Sequence, residues 1–385
     1  HLQYQPKMYI RSKLSSELPH KKEIPGSYEW WYFDAMSADK KWAIVIIFYE
    51  GNPFSPAYIK AQEEARSSAT HLPGDSAEAE EIASSFPAIS VSVYNTQKAE
   101  YYSFLEYAPN RLSSQNEPFS ISLGSNIFER RVLDEKIEYE IILNQMLDSR
   151  YQLRGRIKFV HEPEKMQKSA DFNSLLEEPE QTNFQHAWNL IQPRAGVMGN
   201  LVLDGRSDLY NIAFNGLGYH DHNVGFEPLK DSFEDWYWGR VHFTDYTLVY
   251  YIMNTREGLD KKAWLFPVEN DSPGLSIREI ELMDEAPSRH GLQAFRRIMM
   301  KGPGVECEVL TNQTIDDGPF YQRYFCEATL ITGETKRIQR GISEYILPKR
   351  IYNRKYWWMI NMRLRYLSTK AHWVQKSRFL YSRTW

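Results

Sequence analysis

Apolar and polar residues alternate with a period of two over much of this chain. The stretches "KWAIVIIFY" (41–49), "AISVSVYN" (88–95), "YYSFLEY" (101–107), "FSISLG" (119–124), "KIEYEIIL" (136–143), "YQLRGRIKFV" (151–160), "YTLVYYIM" (246–253) and "ECEVLT" (306–311) combine alternation with β-branched or aromatic residues, the pattern of strands. Helical periodicity is scarce before the last 36 residues. The chain is expected to be all-β, a sandwich or a barrel. Two acidic, polar stretches, 60–83 and 161–183, interrupt the pattern and read as surface insertions, loops or short exposed helices.

One internal echo organises the rest. "YEWWYFDAMSADKKWAIVIIFY" begins at Tyr28 and "FEDWYWGRVHFTDYTLVYYIM" at Phe233. Each gives an acidic residue (Glu29, Asp235), three aromatics (Trp30, Trp31, Tyr32 and Trp236, Tyr237, Trp238), a turn and a long apolar strand. An offset of 206 residues is too long for a solenoid and fits two related β-domains, 1–228 and 229–349, with a tail at 350–385. Glu29 and Asp235 read as structural charges at strand starts, paired with Arg240 or Arg323. In the second domain "VECEVL" and "RYFCEATL" flank "DDGP", a hairpin pattern that sets Cys307 opposite Cys326 as buried neighbouring thiols.

Composition narrows the class. With two cysteines there is neither a disulfide framework nor a Cys-based zinc site. No apolar run is long enough for a membrane-spanning helix, and the residues after His1 show no leader pattern. Aromatics make up 14% of the chain, which suits a β core and equally a pocket for flat or apolar ligands. The net charge of −4 hides an asymmetry: 345–385 carries ten basic residues and no acidic one, leaving 36 basic against 50 acidic residues before it. That body, at −14, disfavours nucleic acid as a partner.

The candidate chemistry is concentrated in "GYHDHNVG" (218–225), at the end of the first domain. In a regular strand His220 and His222 face one side, and Tyr219, Asp221 and Asn223 the other. Gly216 and Gly218 make a bulge possible. Asp221 with a histidine from elsewhere, His186 or His242, is one catalytic reading, and His222 facing inward is the other. The same residues also read as a polar knot that satisfies buried backbone groups. His220-x-His222 suits zinc in part, but no further His or Cys pattern supplies a third ligand, so no metal is expected.

"EWWYFD" (29–34), "GYHDHN" (218–223) and "DWYWGR" (235–240), in that order, resemble the carotenoid 1,2-hydratase (hydroxyneurosporene synthase) family, whose wider relatives are lipocalin-like and include enzymes that cyclise natural products. Weaker echoes are "HAWNLIQPRAG" (186–196), "FYQRY" (320–324) and "GISEY" (341–345). The resemblance covers roughly residues 25 to 348. It implies two consecutive lipocalin-like β-barrel or sandwich domains. It also implies addition of water across a terminal isopropylidene double bond without a metal or organic cofactor, and an important histidine at His222. The hydratases usually carry Trp where this chain has Val224. Past "DWYWGR" they tend to pair a Tyr with a nearby Asp, where this chain has Tyr250 and Tyr251 without an aspartate. These departures suit a relative that turns the same pocket to another isoprenoid or polyene reaction.

Protonating an unactivated alkene requires a buried carboxylic acid kept neutral by its surroundings, and aromatic faces to stabilise the cation. Asp221, His222 and His220 are the catalytic candidates. Tyr219, Trp30, Trp31, Tyr32, Trp236, Tyr237, Trp238, Tyr250 and His186 are the substrate-binding candidates, about a pocket between or within the domains. The expected function is hydration or cyclisation of a C=C bond in a lipophilic substrate, without cofactor. A pericyclase and a non-catalytic lipid carrier are the alternatives. In the tail, Trp357, Ile360, Leu364 and Leu367 form a helical stripe amid Arg and Lys. It reads either as a peripheral membrane contact or as a helix packed on the protein's own body. The expected location is cytoplasmic or peripheral at the membrane surface.

Overall fold

The computed structural model describes residues 8–68, 81–96, 99–134, 136–147, 150–161, 184–268, 274–367 and 373–381. Of the two expected insertions, 162–183 and 69–80 lie outside these residues; the first part of 60–83 belongs to a helix, Pro56–Ser68. The described residues form two compact units, one running to 228 and including 360–381, the other 229–359.

The strands of the first unit are β1 (Met8–Arg11), β2 (Tyr28–Ser37), β3 (Trp42–Glu50), β4 (Ala88–Asn95), β5 (Ala99–Glu106), β6 (Leu112–Asn116), β7 (Phe119–Leu123), β8 (Asn126–Leu133), β9 (Lys136–Leu147), β10 (Tyr151–His161), β11 (His186–Gly205) and β12 (Leu209–Gly225). They pair in the order β5-β4-β3-β2-β12-β11-β10-β9-β8-β7-β6, with β1 added in parallel to β11. A side-chain hydrogen bond from Gln145 on β9 to Ser103 on β5 joins strands far apart in that order, so the sheet is curled. One apolar cluster fills its inner face. Phe33 packs edge-on against Phe128, Tyr139 and Phe159 with centroids 5.1, 5.5 and 5.5 Å away.

Strand β2, "YEWWYFDAMS", is buried along its whole length. Alternation sends Glu29, Trp31 and Phe33 inward and Tyr28, Trp30, Tyr32 and Asp34 outward, and both sets are covered. Its partner β12 runs beside it without a register shift from Gly216↔Ser37 to Gly225↔Tyr28. Gly216 and Gly218 therefore serve close approach instead of a bulge. A Cβ on Gly216 would lie 2.0 Å from the Met36 carbonyl oxygen, and one on Gly218 2.6 Å from that of Asp34. The irregularity lies on the other side of β12, between Leu190 and Ala195 of β11, where Pro193 has no N–H to give the ladder.

The second unit contains β13 (Asp235–His242), β14 (Tyr246–Thr255), β15 (Gly258–Pro267), β16 (Leu275–Ile277), β17 (Glu279–Pro287), β18 (Gln293–Gly302), β19 (Val305–Asp317), β20 (Tyr321–Thr332) and β21 (Thr335–Ile346). Their order is β16-β15-β14-β13-β21-β20-β19-β18-β17. Lys261 on β15 donates to the Ile280 carbonyl on β17 at 2.7 Å, so this sheet also curls. The two echoing segments are equivalent hairpins, β2–β3 and β13–β14, and in each sheet the hairpin's first strand lies beside the last long strand, β12 or β21.

Two local expectations are corrected. The β19–β20 hairpin forms, but its turn comes later than "DDGP" suggests and two register shifts follow. Cys307 therefore opposes Leu330, while Cys326 pairs with Gly341 on β21; both thiols are free and buried. In the tail, the helix Trp357–Arg363 ends before the predicted stripe does. Leu364–Tyr366 (β22) pairs in parallel with β5, because the unfilled edge of β5 offers hydrogen bonds that one more helical turn cannot match. Among the described residues no helix is long and apolar enough to cross a membrane.

Candidate active site

The regular pairing of β12 divides its ionisable groups between two faces. On the outer face Asp221 lies directly across from Tyr32 on β2 and Leu190 on β11. Its Oδ2 accepts hydrogen bonds from Trp188 Nε1 and the Tyr219 hydroxyl, both at 2.7 Å, and its Oδ1 accepts from Asn223 Nδ2 at 2.9 Å. The same amide turns its oxygen to His186 Nε2 at 3.1 Å, and His186 Nδ1 meets the Tyr28 hydroxyl at 2.8 Å. These contacts fix the direction of every proton. Tyr28 donates to His186, His186 to Asn223, and Asn223 to Asp221. Burial holds His186 neutral, down to about 3, against the opposing effect of the Asn223 bond. Trp30 stacks on Tyr28 at 5.2 Å, and Tyr32 meets Tyr219 edge-on at 6.1 Å. Asp221, His186, Tyr219, Trp30 and Tyr32, all marked in the sequence, therefore share one buried aromatic face. Of the two histidines considered as a partner for Asp221, His186 reaches it through Asn223, while His242 bonds Thr247 at 3.0 Å in the second unit.

The inner face is ionic. His220 stacks on Phe33 at 3.8 Å. Its Nδ1 faces the Tyr32 carbonyl at 2.8 Å and its Nε2 faces Glu17 Oε1 at 2.6 Å. Both ring nitrogens thus face oxygens, one a carbonyl and one a carboxylate. Glu17 also receives Arg130 at 2.7 Å and the Tyr139 hydroxyl at 2.5 Å. Burial works to raise its carboxyl, but His220, Arg130 and Tyr139 outweigh that and hold it below the usual range. His222 Nε2 meets Glu29 Oε1 at 2.7 Å. Glu29 also binds Lys22 Nζ at 2.6 Å and His20 Nδ1 at 2.9 Å. Burial raises Glu29 too, yet Lys22 and the two histidines bring it well below its ordinary value. His222 itself is lowered by burial, against the pull of Glu29. Glu29 thus pairs with a lysine, and Arg323 with Asp316 and Glu344, instead of the partnerships expected from the sequence; Asp235 receives the Tyr345 hydroxyl at 3.3 Å.

His20, Glu29 and His222 bring three metal-type donors within 4.8 Å of one another. Their protons are already committed. Arg11 lies on His20 Nε2 at 3.2 Å; a guanidinium only donates, so Nδ1 keeps its hydrogen toward Glu29. The ammonium of Lys22 holds the other Glu29 oxygen. The cluster fits a salt-bridged knot better than a cation site.

The remaining predicted residues sit elsewhere. Trp31 is in the inner core of the first unit, its indole donating to the Glu17 carbonyl at 3.0 Å. Tyr237 and Tyr250 are in the core of the second unit, where Tyr250 donates to Ser343 at 2.6 Å. Alternation turns Trp236 and Trp238 to the opposite face of β13, where both are buried. Sequence reasoning missed Glu17, Lys22, Arg130, Tyr28 and Trp188. Only Trp188 carried a usable signal, two positions after His186 in "HAWNLIQPRAG" and so on the same strand face.

The sequence of these elements matches a family model described as "Carotenoid hydratase CrtC" over residues 83–372. The chain belongs to the carotenoid hydratase family. A hydroxyneurosporene dehydrogenase of Chlorobaculum tepidum is 27% identical over 342 residues, covering 87% of this chain and 86% of the relative. An acyclic carotenoid 1,2-hydratase of Thiocapsa roseopersicina is 25% identical over 319 residues, covering 81% of this chain and 67% of the relative. Among solved structures, CghA bound to Sch210972 aligns with a TM-score of 0.50 at 11% identity, covering 84% of this chain and 89% of that one. That likeness is one of fold, and this member of the carotenoid hydratase family shares the lipocalin-like β architecture.

Proposed function

We propose that this protein is an enzyme that hydrates or cyclises a C=C bond in a lipophilic isoprenoid or polyene substrate by protonating it, with no metal or organic cofactor. The family supports hydration or cyclisation of such a substrate. The observation that carries the acid role is Asp221: a buried carboxyl on an aromatic outer face beside Trp30 and Tyr32, accepting hydrogen bonds from Trp188, Tyr219 and Asn223.

To act as the acid, Asp221 must meet the substrate alkene with its carboxyl in the neutral form. The acid proton then forms a C–H bond with one alkene carbon, using the π pair and leaving a cation on the other. Trp30, Tyr32 and Tyr219 present ring faces, worth on the order of 0.5–2 kcal/mol each to a nearby cation. In hydration, a water oxygen forms the C–O bond and its surplus proton returns to Asp221. In cyclisation, an internal alkene or oxygen closes the ring and the same carboxylate takes the last proton. Asn223, His186 and Tyr28 hold the carboxyl in register. Such a substrate is delivered from a bilayer, so the reading carries with it work at a membrane surface.

The test is turnover of an acyclic carotenoid in deuterated water. The wild-type product gains one non-exchangeable deuterium, and Asp221→Asn loses at least about 100-fold in rate while still binding the substrate. Unchanged turnover in Asp221→Asn refutes the acid role and favours a pericyclase. Binding without any product by the wild type favours a carrier.

A further inference from the structure

We infer that the short strand β22 is a proton-sensitive latch, closed over the edge of β5 while the Glu106 carboxyl beside it is neutral and lifting off as that carboxyl ionises. β22 is three residues long and ends the sheet, pairing in parallel with β5 in the register Leu364↔Phe104 to Tyr366↔Glu106. Its last rung is the bond from the Leu367 amide to the Glu106 carbonyl at 2.9 Å. Residues in register share a face of the sheet, so Tyr366 stands beside the Glu106 side chain. The Ser55 hydroxyl hydrogen-bonds both of them.

Glu106 is 4% exposed, and among the described residues the side chains that meet it are uncharged. Across β4 it faces Ala88. From the turn before the helix Pro56–Ser68 come Ser55 and Asn52, whose Nδ2 donates at 3.3 Å. From β22 comes Tyr366, whose phenol is kept neutral by burial and by Glu106 itself. The nearby cations are turned elsewhere. Arg363 lies 3.6 Å over the Tyr102 ring and binds Glu100 at 2.8 Å. Arg365, in register with Leu105, points to the other face. Burial without a counter-ion therefore pushes the carboxyl up to about 7. An ionised Glu106 needs water. β4 is held on both sides by β3 and β5, whereas β22 is bound along one edge, so lifting β22 is the least costly way to let water in. Opening returns the carboxyl toward its ordinary 4.5. The opened fraction thus rises by up to about tenfold per pH unit between about 4.5 and about 7, and levels off above. It bares the edge of β5 and the Phe104 ring, which lies 5.5 Å from Tyr49, the neighbour of Trp30. The latch therefore sits at the far edge of the aromatic face that carries Asp221, and the inference is independent of the chemistry there.

The test is hydrogen exchange of the full chain, read by mass spectrometry on peptides covering 364–367 and, for comparison, 151–161 in β10. It runs from pH 5 to pH 8, corrected for the intrinsic pH dependence of exchange. Residues 364–367 should be less protected than 151–161 throughout. Their protection should fall at least about tenfold from pH 5 to pH 7 and then level off. In Glu106→Gln it should stay flat. Should that variant not fold, Asn52→Ala removes one hydrogen bond from the carboxylate and should move the levelling-off to higher pH. Equal protection of the two segments would mean that β22 opens only by global unfolding, and overturns the inference. So does a flat wild-type profile, a fall that persists in Glu106→Gln, an unmoved levelling-off in Asn52→Ala, or a fall confined to the turn at 52–55.

Discussion

The two faces of β12 differ in how their carboxylates are held. Inside, Glu17 has Arg130 and His220 upon it, and Glu29 has Lys22. Outside, the donors described at Asp221 are an indole, a phenol and an amide. Formal cations lock a carboxylate in its charged form, whereas neutral donors stabilise the charge less and let a change of solvent exposure shift the balance. Glu17 and Glu29 are held below the usual carboxylate range by these partners; Asp221 is the carboxyl proposed to give up a proton. One strand therefore carries the scaffold on one side and the proposed chemistry on the other, and family likeness at His222 does not by itself say which side reacts.

The largest effect that sharpens this contrast is on stability. Lys22→Met leaves Glu29 buried without its ammonium and should cost about 3–5 kcal/mol, read as a fall in urea midpoint; Asp221→Asn should cost less than half of that. Equal losses would erase the distinction between the faces. Next comes pH. Glu106, in the first unit, is pushed up to about 7 by burial, against hydrogen bonds from Ser55 and Asn52. Folded chains thus hold a proton that unfolded chains release, so stability should fall as pH rises from about 4.5 to about 7, by on the order of 2–3 kcal/mol. His186 acts in the opposite sense: the unfolded chain takes up a proton below about 6.5 that the folded chain refuses until about 3, so its contribution is lost as pH falls through that window. Stability curves of Glu106→Gln and wild type should therefore diverge above pH 5, and parallel curves would show that Glu106 is ionised throughout. The smallest effect is that of Tyr219→Phe. It removes one donor from Asp221, costs about 0.5–1.5 kcal/mol, and should move the alkaline limb of the rate profile, where the acid loses its proton, to higher pH, whereas an unmoved limb would assign the titration to another group.

Much of this was legible in the residues. Period-two alternation marked strands throughout the two sheets. The repeated acidic–aromatic hairpin marked the duplication, and alternation alone separated His220 and His222 from Asp221. Glu17 was not legible because its partners Arg130, Tyr139 and His220 lie 113, 122 and 203 residues away, and pairing at that range leaves no local pattern; Lys22 and His20 lie 7 and 9 residues from Glu29, in a stretch outside the strands that period-two alternation does not describe. The cysteine register failed for a similar reason: bulges in β19 shift a ladder without altering alternation near either thiol. The tail's apolar stripe obeyed helical spacing until Leu364, where an available strand edge overrode it.

The place of β22 has a consequence for synthesis. Its partner β5 emerges from the ribosome some 260 residues earlier and must wait, with its outer rung unsatisfied, while the whole second sheet is translated. A nascent chain stalled near residue 350 would display that rung to other copies, so messages that are read slowly over the last codons should yield more aggregate than the same protein made at an even pace.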